Sequence, residues 1–330
     1  RNLLIGGLMV PSAAALVSAC SGDGPGEANG NGEDIHISFI GAVLNNPFWD
    51  QMQRGASAAA EALAGVELTY TAPEEFSLAN VNEMIRTVIA GGPDGIAVDY
   101  RGREFEEITA RALDQGIAVQ FFNNFKGLDS TDLRIVRLSR TAVGLDKFQA
   151  ARKSGEAFLK FLKHNDSVVL FNGLPDTPEH LVIQNAYLRV FSEAGWAREQ
   201  IEVFPVGLDP AQNFQLIKVY LAAHPEVRGI VCWDSLVGSA AARAKTDAGL
   251  DIPILSWNLD AIIIQSLKDG SLTLTLSQQP YLQGYYAVVA LYLKLKHGLS
   301  DPPSVDTGVF LIDRSNVLEV EKLFKKGLLG

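Results

Sequence analysis

Four short polar side chains stand where runs of β-forming residues stop. Asp99 follows Gly95-Ile-Ala-Val, and Asn123 closes the run beginning at Ile117. Asp234 follows Gly229-Ile-Val-Cys-Trp, and Asn258 closes the run beginning at Ile252. A carboxylate accepts from two vicinal hydroxyls, and a primary amide both donates and accepts. Short side chains also lose little rotamer freedom when fixed. This is the chemistry needed to hold a sugar or another polyol. Taken singly, each of the four reads better as a cap or turn residue. Their spacing favours ligand contact. The Gly95 and Gly229 runs start 134 residues apart, and the Ile117 and Ile252 runs start 135 apart. Two units repeated at one offset describe two similar halves.

Behind these residues the chain alternates. Strand-like runs at 35–43, 66–71, 95–98 and 117–122 are separated by helical spacing at 47–63, 79–90 and 104–115. After residue 146 the order resumes. Helices are expected at 148–164, 178–194, 211–223 and 236–248, with strands at 167–171, 201–205, 229–233 and 253–257. Strand–helix–strand order gives parallel sheets with right-handed crossovers. The fold class is therefore α/β, with two doubly wound parallel-sheet lobes. In such sheets ligands bind beyond the carboxyl ends of the strands, which is where the four polar residues fall.

The 330 residues suffice for about two domains. Hydrophobic residues make up 47% of the chain and charged residues 20%, which excludes a wholly disordered protein. The net charge of −10 argues against a nucleic-acid partner, which needs a basic face. Two cysteines, Cys20 and Cys232, cannot make a disulfide scaffold, and Cys232 reads as a small buried hydrophobe.

The start reads as an address. Arg1 precedes an apolar run over 3–19 that is broken by Gly6, Gly7 and Pro11 and ends in small residues, the pattern of a secretory signal over 1–19. The tetrapeptide Val17-Ser18-Ala19-Cys20 resembles a bacterial lipobox. That resemblance implies cleavage before Cys20, acylation of its thiol and attachment to a membrane. A plain secretory signal or a membrane anchor are the competing readings. Residues 20–34 are rich in Gly, Asn and acids and read as a flexible tether, spanning on the order of 20 Å.

The segment Leu44-Asn45-Asn46-Pro47-Phe48-Trp49 follows the first strand and opens a helix. It resembles the asparagine–proline–aromatic loop of the ribose-binding-protein group of periplasmic sugar-binding proteins, which feed ABC transporters. Further matches in order are Asp99, Asn123-Asn124, Asp234-Ser235, Trp257-Asn258 and Ser277-Gln278-Gln279-Pro280. The resemblance spans residues 35–312. It implies a periplasmic binding protein type 1 fold with a three-segment hinge that closes on the ligand. The first lobe would hold 35–139 and 279–307, and the second 140–278 and 308–330. Crossings are expected near Ser139-Arg140, Gln278-Gln279 and Thr307-Gly308.

The same resemblance implies roles. Asn46 would bond ring or hydroxyl oxygens, Phe48 and Trp49 would cover one sugar face, and Trp257 the other. Asp99, Asn123, Asn124, Asp234, Asn258 and Gln278 would hold hydroxyls. Phe48 and Trp49 read alternatively as a hydrophobic staple of the first helix. The chain departs from the group in two places. Relatives carry an Asp-Arg pair where this chain has Asn123-Asn124, and an Arg near Gln184. With Gln184 or Asn185 there instead, the cleft is expected to be roomier, which disfavours ribose itself and suits a hexose, a deoxy sugar, a cyclitol or a nucleoside. The implied partners are ABC permease subunits, and the protein is expected to act as a monomer.

Neither G-x-G-x-x-G nor a P-loop occurs, so no cofactor is implied. The five histidines show no metal-ligand spacing. His180 reads as a surface capping residue rather than a ligand contact. Asp129, Ser130 and Asp132 read as loop. A glycosidase using Asp99 and Asp234 as a carboxylate pair is the rival enzyme reading, disfavoured by the matching asparagines. A ligand-sensing co-receptor for a chemoreceptor or histidine kinase is the second rival.

Overall fold

The computed structural model describes residues 34–101, 103–123, 130–300 and 304–330. The expected leader over 1–19, the lipidation site Cys20, the tether up to 33 and Asn124 lie outside the described residues. The first half runs β1 (Ile35–Ile40), α1 (Pro47–Ala62), β2 (Val66–Thr71), α2 (Leu78–Ala90), β3 (Gly95–Asp99), α3 (Arg103–Asp114), β4 (Ala118–Asn123), α4 (Leu133–Arg140) and β5 (Val143–Gly144). The second begins α5 (Lys147–Leu159), β6 (Ser167–Asn172), α6 (Pro178–Glu193), β7 (Ile201–Pro205), α7 (Pro210–Ala223), β8 (Val227–Cys232) and α8 (Ser235–Asp247). It continues β9 (Ile254–Trp257), α9 (Ala261–Asp269), β10 (Leu274–Ser277), α10 (Pro280–His297), β11 (Val305–Asp306), β12 (Phe310–Asp313) and α11 (Val317–Lys325).

Among the described residues the strands form two six-stranded sheets. The first has the order β11-β5-β4-β3-β1-β2 and the second β12-β10-β9-β8-β6-β7. The strands pair in parallel except β12, which runs antiparallel to β10. This is the two-lobed, doubly wound α/β architecture that the alternation implies.

Helices on both faces explain why the central strands are apolar without alternation. Val168 and Leu170 of β6 join a core with α5 and α6, whereas Val169 and Phe171 face the other way, toward α7 and α8. Trp233 and Trp257 belong to the α5/α6 side. Cys232 is a buried free thiol on the opposite side.

The chain passes between the sheets in three places. Val143 and Gly144 pair with Phe122 and Asn123, so the first sheet holds the chain until Gly144. The first passage follows there, beyond Ser139-Arg140, which end α4. The second runs from β10 in the second sheet to α10, which packs on β1, β3 and β4. The third separates β11 from β12. Thr307 ties all three together. Its amide donates to Gly144 O at 2.7 Å, and its hydroxyl donates to Gln278 O at 3.0 Å.

Several elements carry no readable pattern in the sequence. β5 and β11 have two residues each. Asp132, expected in a loop, is the N-cap of α4, accepting from the Arg134 amide at 2.8 Å.

Helices α1 and α10 meet where both lack a side chain. A Cβ on Gly55 would lie 1.9 Å from Tyr281 O, and one on Gly284 would lie 2.0 Å from Met52 O. Each backbone therefore fills the notch left by the other's glycine. We expect Gly284→Ala to force the helices apart and to cost about 1–3 kcal/mol by overpacking. Urea unfolding would measure this, and an unchanged midpoint would contradict the close crossing.

Candidate ligand-binding site

The carboxyl ends of both sheets open onto one cavity of about 670 Å³, part of it open to solvent. Asn46, Phe48, Trp49, Asn123, Asp234, Trp257, Asn258 and Gln278 all line it. Two of the expected residues do not. Asp99 lies behind the wall and is 4% exposed. Gln184 points back into the second lobe, accepting from Asn172 Nδ2 at 3.1 Å.

The matched pair Asn123 and Asn258 is matched in conformation as well as position. Both end a strand in the left-handed region, each with φ of 63°. Asparagine is among the few residues that adopt this conformation readily. The two lobes thus use the same backbone device to turn an amide into the cleft.

Capping and lining are not alternatives here. Asn46 is the N-cap of α1, its Oδ1 accepting from the Phe48 amide at 3.0 Å, and it also lines the cavity. Asp234 caps α8 through Oδ1 and the Leu236 amide at 2.8 Å, and it lines the cavity too. A cap residue sits at a helix N-terminus, and in a doubly wound sheet that terminus is at the cleft edge. The aromatic pair behaves similarly. Phe48 and Trp49 meet edge to face at 5.4 Å, with Trp49 packed into the first core and Phe48 half-buried against it. Trp257 is 1% exposed and held by donation from its indole N–H to Tyr187 Oη at 2.6 Å.

The wall is more charged than the sequence suggested. Arg101, not singled out in the sequence, brings a guanidinium to the cavity wall. Arg101 pairs with Asp99 at 2.5 Å and stacks over Trp49 and Phe76, 5.7 Å and 5.0 Å from their ring centres. Asp99 also accepts from Asn123 Nδ2 at 3.1 Å. Its place is thus to orient Arg101 and Asn123, and burial raises its carboxyl despite the opposing pull of Arg101.

Lys147 and Glu179, not singled out in the sequence, face each other in the wall at 3.2 Å. Burial alone would raise the Glu179 carboxyl. The Lys147 and Arg101 cations, with His180, outweigh it and hold that carboxyl down to about 2.

His180 is not a surface cap. It is 8% exposed, lines the cavity and lies 3.0 Å from Asn172 Oδ1. Its Nδ1 is 2.8 Å from the indole nitrogen of Trp233, which can only donate. The same Nδ1 faces Asn172 Oδ1, so a donor and an acceptor converge on one ring nitrogen. Burial, helped by the Lys147 and Arg101 charges, outweighs the opposing Glu179 carboxylate and pushes its pKa down to about 4, which keeps the ring neutral. A histidine inside a helical run gives no sign of this in the sequence.

The family model described as periplasmic binding protein domain matches residues 37–299. The chain belongs to the periplasmic binding protein family. Its relatives include the xylose/arabinose-binding protein XylF of Sulfolobus acidocaldarius, 26% identical over 300 residues, covering 85% of this chain and 71% of the relative. The ribose import binding protein of Bacillus subtilis is 19% identical, covering 83% and 88%. Among solved structures, a carbohydrate transporter from Acidothermus cellulolyticus in complex with myo-inositol superposes with a TM-score of 0.77 at 24% identity, covering 89% and 99%. A glucose-galactose binding protein from Geobacillus stearothermophilus gives 0.75 at 20%, covering 86% and 99%. These likenesses bear out the type 1 fold. As a member of a family of transporter binding proteins, the chain is a binding protein and not an enzyme. Periplasmic binding proteins work outside the cytoplasm, and among the described residues no helix is long and apolar enough to cross a membrane.

Burial, together with the Asp260 and Glu179 charges and against two backbone donors, pushes the Asp234 carboxyl up to about 6. Its unfolded value is about 3.9. The folded state therefore holds this proton more tightly, so its contribution to stability is full below about pH 4 and lost as pH rises through 6. Asp234→Asn keeps a capping oxygen and removes that loss. The ligand-free variant is expected to melt no lower than the parent at pH 8, as differential scanning calorimetry would show. A lower melting temperature at pH 8 would contradict this account of Asp234.

Proposed function

We propose that this protein captures a monosaccharide or related polyol in the cleft and delivers it to the permease of an ABC importer. The observation that carries this reading is the pairing of Asn123 and Asn258, left-handed at corresponding strand ends, on one cavity with Trp49, Trp257, Asp234 and Gln278. Indole faces suit the C–H patches of a sugar ring. The amides and the carboxylate suit its hydroxyls, and the two lobes close around it. The ligands named for the relatives, xylose, arabinose and ribose, and myo-inositol in a structural neighbour, belong to the same chemical class. Asp99 acts one step back from the ligand, through Arg101 and Asn123.

The lobes of this reading are 35–139 with 279–307, and 140–278 with 308–330, the first extended to Gly144 on the strength of the β5 pairing. The protein works as a monomer, held at the membrane by a lipid on Cys20 after removal of residues 1–19. The sequence Val17-Ser18-Ala19-Cys20 supports this anchoring. Mass spectrometry of the mature protein is expected to find an acylated N-terminal cysteine. An unmodified one would remove the anchor.

A thermal-shift screen of residues 34–330 against pentoses, hexoses, cyclitols and nucleosides tests the ligand class. A ligand at a hundred times its Kd stabilises by about 2.7 kcal/mol, a shift of several degrees. A nucleoside hit with no carbohydrate hit would overturn the sugar assignment. Given a hit, Asn258→Gly keeps the left-handed backbone and removes the amide. It is expected to weaken binding by about 1–3 kcal/mol in titration calorimetry. Binding is also expected to weaken as pH falls from 7 to 5, because Asp234 gains its proton near 6.

A further inference from the structure

Lys147 breaks a local rule. It is the first residue of α5, where the positive end of the helix dipole disfavours a cation. It is also only 7% exposed, although a buried ammonium needs full compensation. A residue that violates local preference needs a reason from the tertiary structure.

The reason is visible in its partners. The ammonium donates to Asn123 Oδ1 at 2.7 Å and to Gln278 Oε1, and it pairs with Glu179 Oε1 at 3.2 Å. These oxygens belong to β4 of the first sheet, to the passage after β10, and to α6 of the second lobe. An ammonium has three N–H bonds, and these three oxygens use them. The partner amides are turned as a consequence. Asn123 presents its nitrogen to Asp99 at 3.1 Å, and Gln278 presents its nitrogen to Asn258 Oδ1 at 2.8 Å. A chain of hydrogen bonds thus runs from Asp99 in one lobe to Asn258 in the other, with Lys147 at its middle. Opening the cleft would separate Asn123 from Glu179 and break it.

We propose that Lys147 is an interlobe staple, a positioning residue that holds the ligand-free protein near its closed form and aims the Asn123 and Gln278 amides, without itself contacting the ligand. The staple reduces the conformational cost of binding. When the binding-competent form is only a fraction of the ensemble, apparent affinity falls by that fraction.

The test pairs Lys147→Met with Glu179→Gln, so that no buried charge is left alone, and uses Lys147→Arg as the conservative variant. In small-angle scattering without ligand, K147M/E179Q is expected to show a larger radius of gyration than the parent. K147R is expected to regain most of the compactness. Affinity for the sugar found in the screen is expected to fall at least about tenfold in K147M/E179Q, and less in K147R. Circular dichroism must first show a native fold. If the double variant fails it, Lys147→Gln, which removes the charge but keeps donors, takes its place. A folded variant that scatters like the parent overturns the staple. The affinity arm rests on the sugar-binding reading and the scattering arm does not. A parent that binds no carbohydrate therefore sinks that reading and leaves the staple to be decided by scattering.

Discussion

Parallel pairing is the constraint on which the rest depends. When strands run in one direction, their carboxyl ends lie on one edge, and the helix that follows each strand starts there. Strand-terminal residues, helix N-caps and the loops between them are therefore brought to the same place in each lobe. Two such edges face a common cavity in this protein. Asn123 and Asn258 come from strand ends, Asn46 and Asp234 from helix caps, and Gln278 from a passage between the sheets. None needs a special loop to reach the site.

This arrangement makes structural and binding roles coincide. The capping oxygen of Asp234 secures α8 while the carboxylate remains part of the wall. Asn258 closes a strand in a left-handed turn and accepts from Gln278 Nε2 at 2.8 Å. The same economy holds for the aromatics. Trp49 and Trp257 are anchored in their cores and expose only what faces the cavity. Rigid walls of this kind lose little entropy when a ligand arrives. Three short passages link the two sheets, and Thr307 joins them by hydrogen bonds to Gly144 and Gln278.

The charges in the wall follow a different logic. Arg101, Lys147, Asp99 and Glu179 are paired within the protein. Pairing offsets part of the cost of their desolvation and fixes the orientation of the neutral amides beside them. In the proposed sugar-binding role, a neutral polyol would be read by amides and indoles whose positions are set by ions it need not touch.

Much of the fold was legible in the sequence, because alternation of strand and helix periods is a local property. The offset between Gly95 and Gly229 exposed the two halves, and Asn46, Asn123, Asp234, Asn258 and Gln278 stand at recognisable punctuation. The two-residue strands β5 and β11 were not legible, since two residues hold no period. Nor were Arg101, Lys147, Glu179 and His180 identified. Each lies in a helix start or loop where a charged or polar residue is unremarked, and only packing shows that it is turned inward. Asp99 and Gln184 met the opposite fate, correctly marked as polar strand-end and helix residues but claimed by Arg101 and Asn172 before the cavity is reached. Sequence determined which elements form and which edge carries polar groups, since these depend on neighbours along the chain. Tertiary structure alone decided which polar groups face the cavity and which satisfy one another, because a buried hydrogen bond is fixed by distance between residues such as Lys147 and Gln278, 131 positions apart in sequence.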